Sequence, residues 1–306
     1  MVNKIYIISA LLLTLLFSLS CKNSKEGKEL SPVVFKMTEI PAIITEPAAR
    51  AEYLAKHFWD GTDFTDSSII LITDRLNAHY SIYIQHLYRC SENIARESLK
   101  KFIESALDGN EGVRGYILSI VEASLYDPNS IIRNETAYIW VLETLVESTK
   151  IDEISKERYS SQLTLARKNR LGIKAQEFEY ITTTGKELSL SKTKGDYTLI
   201  MFYDPDCQAC TKALDFINNS VVIGKMGQRL NKIGVYTGED IKKWFNTAGK
   251  FNSGWTVAHD KEMAISVNKL YDTRPSPSLY LLNKDKIVLL KDVSPEDLEL
   301  YFKSTQ

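Results

Sequence analysis

Hydrophobic side chains in the first half of the chain recur at the spacing of an α-helix. Between residues 40 and 170, apolar positions follow one another in steps of three and four, for example from Ile94 to Ala106 and from Val113 to Leu125. This spacing places the apolar side chains on one face of a helix, where they can be buried. Turn-forming residues such as Asp108-Gly109-Asn110 separate the periodic segments. The pattern predicts an all-helical domain over residues 39–172.

The pattern changes after Gly172, a residue that can end a helix in the left-handed conformation. Tyr197–Tyr203 (YTLIMFY) is an uninterrupted apolar run of strand length, typical of a strand buried on both faces. A helix is predicted to start at Cys207. The remaining predicted elements are a strand at 233–236, a helix at 239–250, a short segment at 255–259, strands at 278–282 and 286–290, and a C-terminal helix capped by Ser294. This order predicts an α/β domain over residues 173–306.

The first twenty residues have the layout of a bacterial export signal, with an apolar run from Ile5 to Leu19 after a positive residue. As a helix the run spans only about 23 Å, less than the roughly 30 Å of a bilayer core. A small residue before Cys21 resembles a lipobox, so we expect loss of residues 1–20, a lipid on Cys21 and a flexible tether over residues 21–38. A plain signal peptide and an uncleaved anchor are the alternatives. The residue directly after Cys21 is Lys22 rather than an acidic residue, which favours the outer membrane, facing the periplasm.

Composition and charge exclude several classes of function. The 306 residues include 38 Lys+Arg and 39 Asp+Glu, so the charges nearly cancel. Without a basic field, nucleic acid is not an expected partner. The four cysteines are too few for a disulfide-rich secreted module. No glycine-rich loop follows a predicted strand, so the sequence gives no support to phosphate binding.

The sequence Cys207-Gln208-Ala209-Cys210 carries the candidate chemistry. It follows the buried strand and opens a helix, the context in which a C-x-x-C sequence is a redox candidate. The helix N-terminus favours the thiolate of Cys207, the form that attacks a disulfide, and Cys210 lies nearly one turn later, where it can close a bridge. A permanently closed or vestigial pair is the alternative. A metal site is not expected, because zinc needs two further ligands that the spacing does not provide.

Four segments carry a resemblance to known families. Tyr197–Cys210 (YTLIMFYDPDCQAC) and Tyr271–Leu290 (YDTRPSPSLYLLNKDKIVLL) resemble the thioredoxin superfamily, most closely the TlpA/ResA-like thiol-disulfide oxidoreductases of the bacterial envelope. Phe58–Phe64 and Tyr126–Glu143 are similar to a helical domain of unknown function that accompanies thioredoxin-like domains in Gram-negative lipoproteins. The resemblance implies a thioredoxin-like fold for the second half of the chain and no activity for the first half.

The resemblance also implies roles for single residues. Cys207 corresponds to the nucleophile and Cys210 to the resolving thiol. Pro277 corresponds to the family's cis-proline, which shapes the groove and discourages metal binding, and the backbone of Ser276 to the part that pairs with a bound polypeptide. No soluble cofactor is implied, because electrons move by exchange with protein thiols and disulfides, including those of an upstream redox partner.

The sequence departs from the family at three points. The Gln-Ala pair between the cysteines does not indicate a reduction potential, so reductase, oxidase and isomerase directions all stay open. The two positions where many relatives carry a proton-transferring acid are Met201 and Ala213. Asp204 and Asp206 lie close to the motif, and their charges would raise the pKa of Cys207 against the helix dipole. The net direction of that pKa shift depends on the three-dimensional structure.

We therefore predict a thiol-disulfide oxidoreductase that acts on envelope proteins and is held at the membrane by its lipid. The alternative is a non-catalytic, lipid-anchored scaffold with a structural cysteine pair. We expect the helical domain to position a substrate or a redox partner. Cys90 is predicted to be a small buried residue within a helix, and His259 a structural imidazole.

Overall fold

The computed structural model describes residues 35–305, apart from residues 37 and 261. The predicted leader, the predicted lipidation site Cys21 and most of the predicted tether lie outside the described residues. The first half of the described chain forms helices α1 (Pro47–His57), α2 (Thr73–Leu87), α3 (Glu92–Asp108), α4 (Glu111–Leu125), α5 (Glu135–Glu147) and α6 (Glu153–Arg167). None of the helices in the described part combines the length and apolar character needed to cross a membrane.

The helices start where the sequence supplies side-chain caps. Asn110, Asn134 and Asp152 each accept a hydrogen bond from a backbone N–H in the first turn of α4, α5 and α6. The apolar faces meet in one aromatic core, in which the rings of Trp59 and Phe102 stack with their centroids 4.5 Å apart. The predicted helical domain is confirmed as a fold class.

The second half forms one mixed sheet with strands in the order β2-β1-β5-β4-β3-β6-β7. The strands are β1 (Glu179–Thr182), β2 (Glu187–Ser189), β3 (Tyr197–Tyr203), β4 (Leu230–Tyr236), β5 (Trp255–His259), β6 (Ser278–Asn283) and β7 (Val288–Lys291). Their connecting and flanking helices are α7 (Gln208–Asn219), α8 (Val221–Lys225), α9 (Ile241–Thr247), α10 (Ala264–Val267) and α11 (Pro295–Ser304). The predicted α/β domain is confirmed, whereas the hairpin of β1 and β2 was not predicted.

Strand β3 lies at the centre of the sheet and is buried on both faces. It runs parallel to β4 and antiparallel to β6. Leu199 and Met201 face a core shared with α7 and α11, and Ile200 and Phe202 face the core on the other side. The uninterrupted apolar run of β3 therefore has a physical cause, because every residue after Tyr197 in this strand is buried, on either face of the sheet.

Candidate functional site

The site is built where β3 ends and β6 begins. These neighbouring strands are antiparallel, and Phe202 at the end of β3 pairs with Ser278 at the start of β6. The chain after β3 reaches Cys207, and the chain before β6 contains Ser276. The sheet register therefore brings two segments about 70 residues apart in sequence to the same edge.

Cys207 caps the N-terminus of α7. Its Sγ accepts a hydrogen bond from the backbone N–H of Cys210 at 3.0 Å. Helix α7 buries Cys210 beside Leu214 and Ile217, and Cys210 is 3% exposed, whereas Cys207 is partly exposed. The amphipathic pattern of the helix therefore leaves one sulfur accessible and places the other behind it.

The two thiols have pKa values shifted in opposite directions. Partial burial would raise the pKa of Cys207, but hydrogen bonds with the side chains of Cys210 and Ser276 and with the backbone of α7 outweigh it, and the pKa is lowered. Burial raises the pKa of Cys210 to about 11, and the neighbouring Cys207 adds to the shift. Cys207 is therefore the thiol that ionises first.

Ser276 contacts both cysteines. Its carbonyl oxygen lies 3.5 Å from the Cys207 Sγ, and its Oγ lies 3.1 Å from the Cys210 Sγ. The peptide bond from Ser276 to Pro277 is cis, as the resemblance implies. The structure thus brings all four sequence-predicted residues of the thioredoxin-like domain together.

The two aspartates before Cys207 are paired with one lysine. Lys243 of α9 places its Nζ 2.9 Å from the Asp204 Oδ1 and 2.8 Å from the Asp206 Oδ2. Lys243 lies 37 residues or more from both carboxylates in the sequence, and its pairing with them was not predicted. With their charges compensated, the lowered pKa of Cys207 is physically consistent.

The positions of the family's proton-transferring acid are apolar and buried here. Met201 and Ala213 both lie in the core between the sheet and α7. His259 is also buried, with its Nε2 2.9 Å from the carbonyl oxygen of Gly238, which is a structural contact. Cys90 was predicted to be buried within a helix, but it is half-buried and lies three residues after the end of α2, where its Sγ donates to the carbonyl of His86. In the described part of the chain, no cluster of three His, Cys, Asp or Glu side chains could hold a metal ion.

The helical domain contacts the segment that carries Ser276. Arg133 of the loop before α5 lies 3.3 Å from the Asp272 Oδ2 and 3.1 Å from the Asp292 Oδ2. Arg274 pairs with Asp272 at 2.6 Å and places its guanidinium 3.6 Å from the centre of the Tyr126 ring. We call Tyr126, Arg133, Asp272 and Arg274 the interdomain clamp. None of these four residues was predicted from the sequence to contact the other domain.

The clamp is ionic and largely buried. Burial would raise the pKa of Asp272, but Arg274 and Arg133 outweigh it and the pKa is lowered, so this carboxylate is charged. Burial raises the pKa of Asp292 to about 6 although Arg133 and Lys291 oppose the shift. Lys291 also pairs with Glu135 of α5 at 2.7 Å. Charged groups from both domains therefore hold the segment from 272 to 277 in place.

The chain matches two family models, and the boundary between them lies close to residue 170, where the fold changes from helical to α/β. Residues 18–169 match the model of a domain of unknown function, DUF5106. Residues 171–291 match the model of the AhpC/TSA family. None of the curated proteins matches the chain.

Solved structures match the chain over one or both domains. A thioredoxin-like protein from Bacteroides caccae is 34% identical, with a TM-score of 0.83 over 90% of this chain and 100% of that chain. The C-terminal domain of an uncharacterized protein from Bacteroides fragilis is 36% identical over 44% of this chain and 98% of its own, with a TM-score of 0.44. The thioredoxin domain of a thiol-disulfide oxidoreductase from Bacteroides vulgatus is 20% identical over 44% of this chain and 97% of its own, with a TM-score of 0.40.

Proposed function

Because this chain belongs to the thioredoxin-like proteins in which an AhpC/TSA-family domain follows a DUF5106 domain, we propose that it exchanges disulfides with protein partners through Cys207 and Cys210. The observation that carries the proposal is the asymmetry of the two thiols. Cys207 is accessible and has a lowered pKa, whereas Cys210 is buried and has a raised one. An attacking thiol must be accessible and readily ionised, as Cys207 is. A resolving thiol reacts only after the mixed disulfide has formed, so it can be buried and protonated until then, as Cys210 is.

In the first step the Cys207 thiolate attacks one sulfur of a partner's disulfide. A bond forms between Cys207 and that sulfur, the partner's S–S bond breaks, and the second partner sulfur leaves as a thiolate that takes up a proton. The backbone N–H of Cys210, 3.0 Å from the Cys207 Sγ, stabilises the thiolate before the attack. Ser276 lies beside the reacting sulfur and offers its exposed backbone to the partner.

In the second step Cys210 displaces the partner. Its thiol loses a proton and its sulfur bonds to the Cys207 sulfur, while the bond between Cys207 and the partner breaks. The partner sulfur leaves as a thiolate that takes up a proton, so the partner is reduced and the cysteine pair is oxidised. The negative charge of Cys207 is one cause of the raised pKa of Cys210. Formation of the mixed disulfide removes this charge, so Cys210 then ionises more readily. The same steps in reverse transfer a disulfide to a reduced partner.

We propose that this exchange takes place in the cell envelope, with the protein anchored by a lipid on Cys21. The apolar run before Cys21 and the polar segment after it support this placement. In the producing cells, Cys21→Ser should move the protein from the membrane fraction to the soluble envelope fraction. Retention of the variant in the membrane fraction would contradict the anchor.

A redox titration of the mature protein tests the exchange. Cys90→Ser removes the third described thiol, and alkylation followed by peptide mass reports the state of Cys207 and Cys210. We expect a reversible couple between about −270 and −120 mV, the range of working exchange proteins. Further substitution of Cys207 by Ser should abolish exchange with a protein disulfide.

Two outcomes would contradict the exchange and favour the scaffold. One is a bridge that stays closed below about −300 mV, the range of structural disulfides. The other is a pair of thiols that never forms a bridge. A Cys207→Ser variant that binds its partner as before would then identify a binding module.

A further inference from the structure

A groove lies between the two domains, next to Ser276. It encloses about 600 Å³. Its thioredoxin-like side is formed by one face of α7, at positions separated by three and four residues, together with the cis-proline segment and the start of α11. The α7 residues are Ala209, Lys212, Ala213 and Phe216. Ala209 belongs to the C-x-x-C sequence, so the groove begins at the cysteine pair.

The opposite wall comes from the helical domain. It consists of Pro128, Asn129 and Arg133, in the loop that joins α4 to α5. The loop has a defined shape, because Asp127 accepts hydrogen bonds from the backbone N–H and the side chain of Asn129. The backbone N–H of Asn134 also closes the loop onto Leu125 at 3.0 Å. Asn129 is exposed and lines the groove, so an occupant of the groove can reach it.

The interdomain clamp fixes the distance between the two walls. Arg133 belongs to the helical wall and pairs with Asp272 and Asp292 of the other domain. Arg274 packs on Tyr126, at the end of α4, and lies two residues before Ser276. Contacts at both ends of the loop therefore hold the helical wall beside the segment that touches the cysteines.

The size and lining of the groove indicate what it can receive. Ala209 and Phe216 are seven residues apart, which is about 10 Å along a helix and equals about three residues of extended chain. Ala213, Phe216, Pro277 and Val293 give the floor an apolar character, and Lys212 and Glu296 give the rim both signs of charge. An extended polypeptide with an apolar side chain about three residues from its cysteine fits this lining.

We propose that the substrate segment flanking the reacting cysteine binds in this groove, so that the helical domain contacts the substrate directly through the loop around Asn129. This inference rests on the proposed function and adds the kind of segment that is recognised. The helical domain is then part of the substrate site rather than a spacer.

Two activated disulfides test the proposal. One is a short synthetic peptide whose cysteine carries a pyridine-2-thiol leaving group and which has a Phe about three residues away. The other is 2,2′-dipyridyl disulfide, which reaches Cys207 without filling the groove. In both reactions the Cys207 thiolate bonds to the attacked sulfur, the S–S bond breaks, and pyridine-2-thiolate leaves with the electron pair and is measured by its absorbance.

The informative variant is Asn129→Trp, which places a large side chain into the groove. Its matched control is Ile131→Trp, in the same loop, at a fully exposed position that does not line the groove. We expect the ratio of the peptide rate to the dipyridyl disulfide rate to fall at least about tenfold in Asn129→Trp, the loss typical of blocking an interface anchor. The ratio should stay unchanged in Ile131→Trp. A peptide with Ser in place of Phe should react more slowly with the unsubstituted protein.

The outcomes separate this inference from the proposed function. An unchanged ratio in Asn129→Trp, with both disulfides reacting, would overturn the groove and leave the exchange function intact. An equal fall in both Trp variants would also overturn it, because the effect would not depend on the groove. If neither disulfide reacts with Cys207 in the unsubstituted protein, the proposed function fails and the groove proposal fails with it.

Discussion

Two regions of the molecule hold Ser276, and they do so by different means. On one side, Ser276 contacts the sulfurs of Cys207 and Cys210 at 3.5 and 3.1 Å. On the other side, the interdomain clamp holds the segment before Ser276 with buried charges from both domains. The first region determines the reactivity of the sulfurs. The second determines where the helical wall lies relative to them, so chemistry and substrate placement can be altered separately.

The largest effect is expected from Cys210→Ser, which acts only on the chemical region. The variant keeps the attacking thiol and loses the resolving one, so it should accumulate a mixed disulfide with its partner. Turnover should fall at least about 100-fold, because an intramolecular attack is replaced by a slow bimolecular one. The rate of turnover and the mass of the trapped adduct measure the two effects.

Cys90→Ser is the control for this experiment, because Cys90 lies in the helical domain and is half-buried. It should leave turnover and adduct formation as they are. Full turnover in Cys210→Ser would show that a second molecule resolves the mixed disulfide, and the assignment of Cys210 would be wrong.

The next largest effect is expected from Asp272→Ala, which breaks the clamp. Asp272 is 4% exposed and pairs with two arginines, so its removal takes the carboxylate partner from Arg274 and leaves Arg133 with Asp292 as its remaining partner among the described residues. We expect a loss of about 3 kcal/mol in the free energy of unfolding, as for other broken buried ion pairs. Denaturation in urea, followed by circular dichroism, measures the loss.

Asp196→Ala is the matched control for Asp272→Ala. Asp196 pairs with Arg229 at 2.7 Å, and both side chains are well exposed. An exposed pair of this kind contributes less than about 1 kcal/mol. Equal losses in the two variants would show that the clamp is no more than a surface ion pair.

A smaller and pH-dependent effect is expected from Arg133→Met. Arg133 lowers the pKa of Asp292, which burial holds at about 6 compared with an ordinary value of 3.8. Without Arg133 the pKa rises further, so the folded variant must either bury an unpaired carboxylate or bind a proton. The substitution should therefore cost more stability at about pH 8, where Asp292 is otherwise ionised, than at about pH 5, where it is protonated in both proteins.

The measurement is the difference in unfolding free energy between Arg133→Met and the unsubstituted protein at the two pH values. Arg229→Met, at an exposed pair, should show no such difference between them. A cost for Arg133→Met that falls as the pH rises would contradict the assigned role of Asp292.

The difference between the two regions also explains which parts could be predicted from the sequence. The position of Cys207 at a helix start depends on a strand, a turn and an amphipathic helix within about twenty residues, and all three are visible in the local pattern. The clamp joins Arg133 to Asp272 across 139 residues. A charged residue has no periodicity that would indicate burial, so only the fold reveals this pair.

Several elements of the fold were not predicted, among them the hairpin of β1 and β2 and the short helices α8 and α10. Strands β1 and β2 are short and largely polar, so the alternation in their sequence is too brief to predict a hairpin. Gly172 has a φ of 79°, as predicted for a helix end, but α6 already ends at Arg167. Asn169 takes a left-handed φ of 52° just after that helix, and its buried side chain bonds to the Leu270 carbonyl and the Gln176 N–H. Contacts with the second domain thus determine where the first domain ends.

The smallest effect is expected at Lys243, which pairs with Asp204 and Asp206 near the chemical region. Lys243→Gln removes the compensating charge, so the two carboxylates should raise the pKa of Cys207. Because both carboxylates are largely solvated, we expect only a small rise in this pKa, one that shrinks at high salt. The pH dependence of alkylation by iodoacetamide measures this pKa.

Lys242→Gln is the control for Lys243→Gln, since Lys242 lies next to it on α9, is exposed and forms no ion pair among the described residues. A pKa of Cys207 that rises only in Lys243→Gln shows that the lysine compensates the carboxylates. A pKa that stays unchanged in Lys243→Gln, or one that moves equally in both variants, would mean that the lowered pKa of Cys207 depends on the hydrogen bonds at the start of α7 alone. The Cys210 N–H and Ser276 would then be sufficient to activate the nucleophile, and the two aspartates would have no electrostatic part in its chemistry.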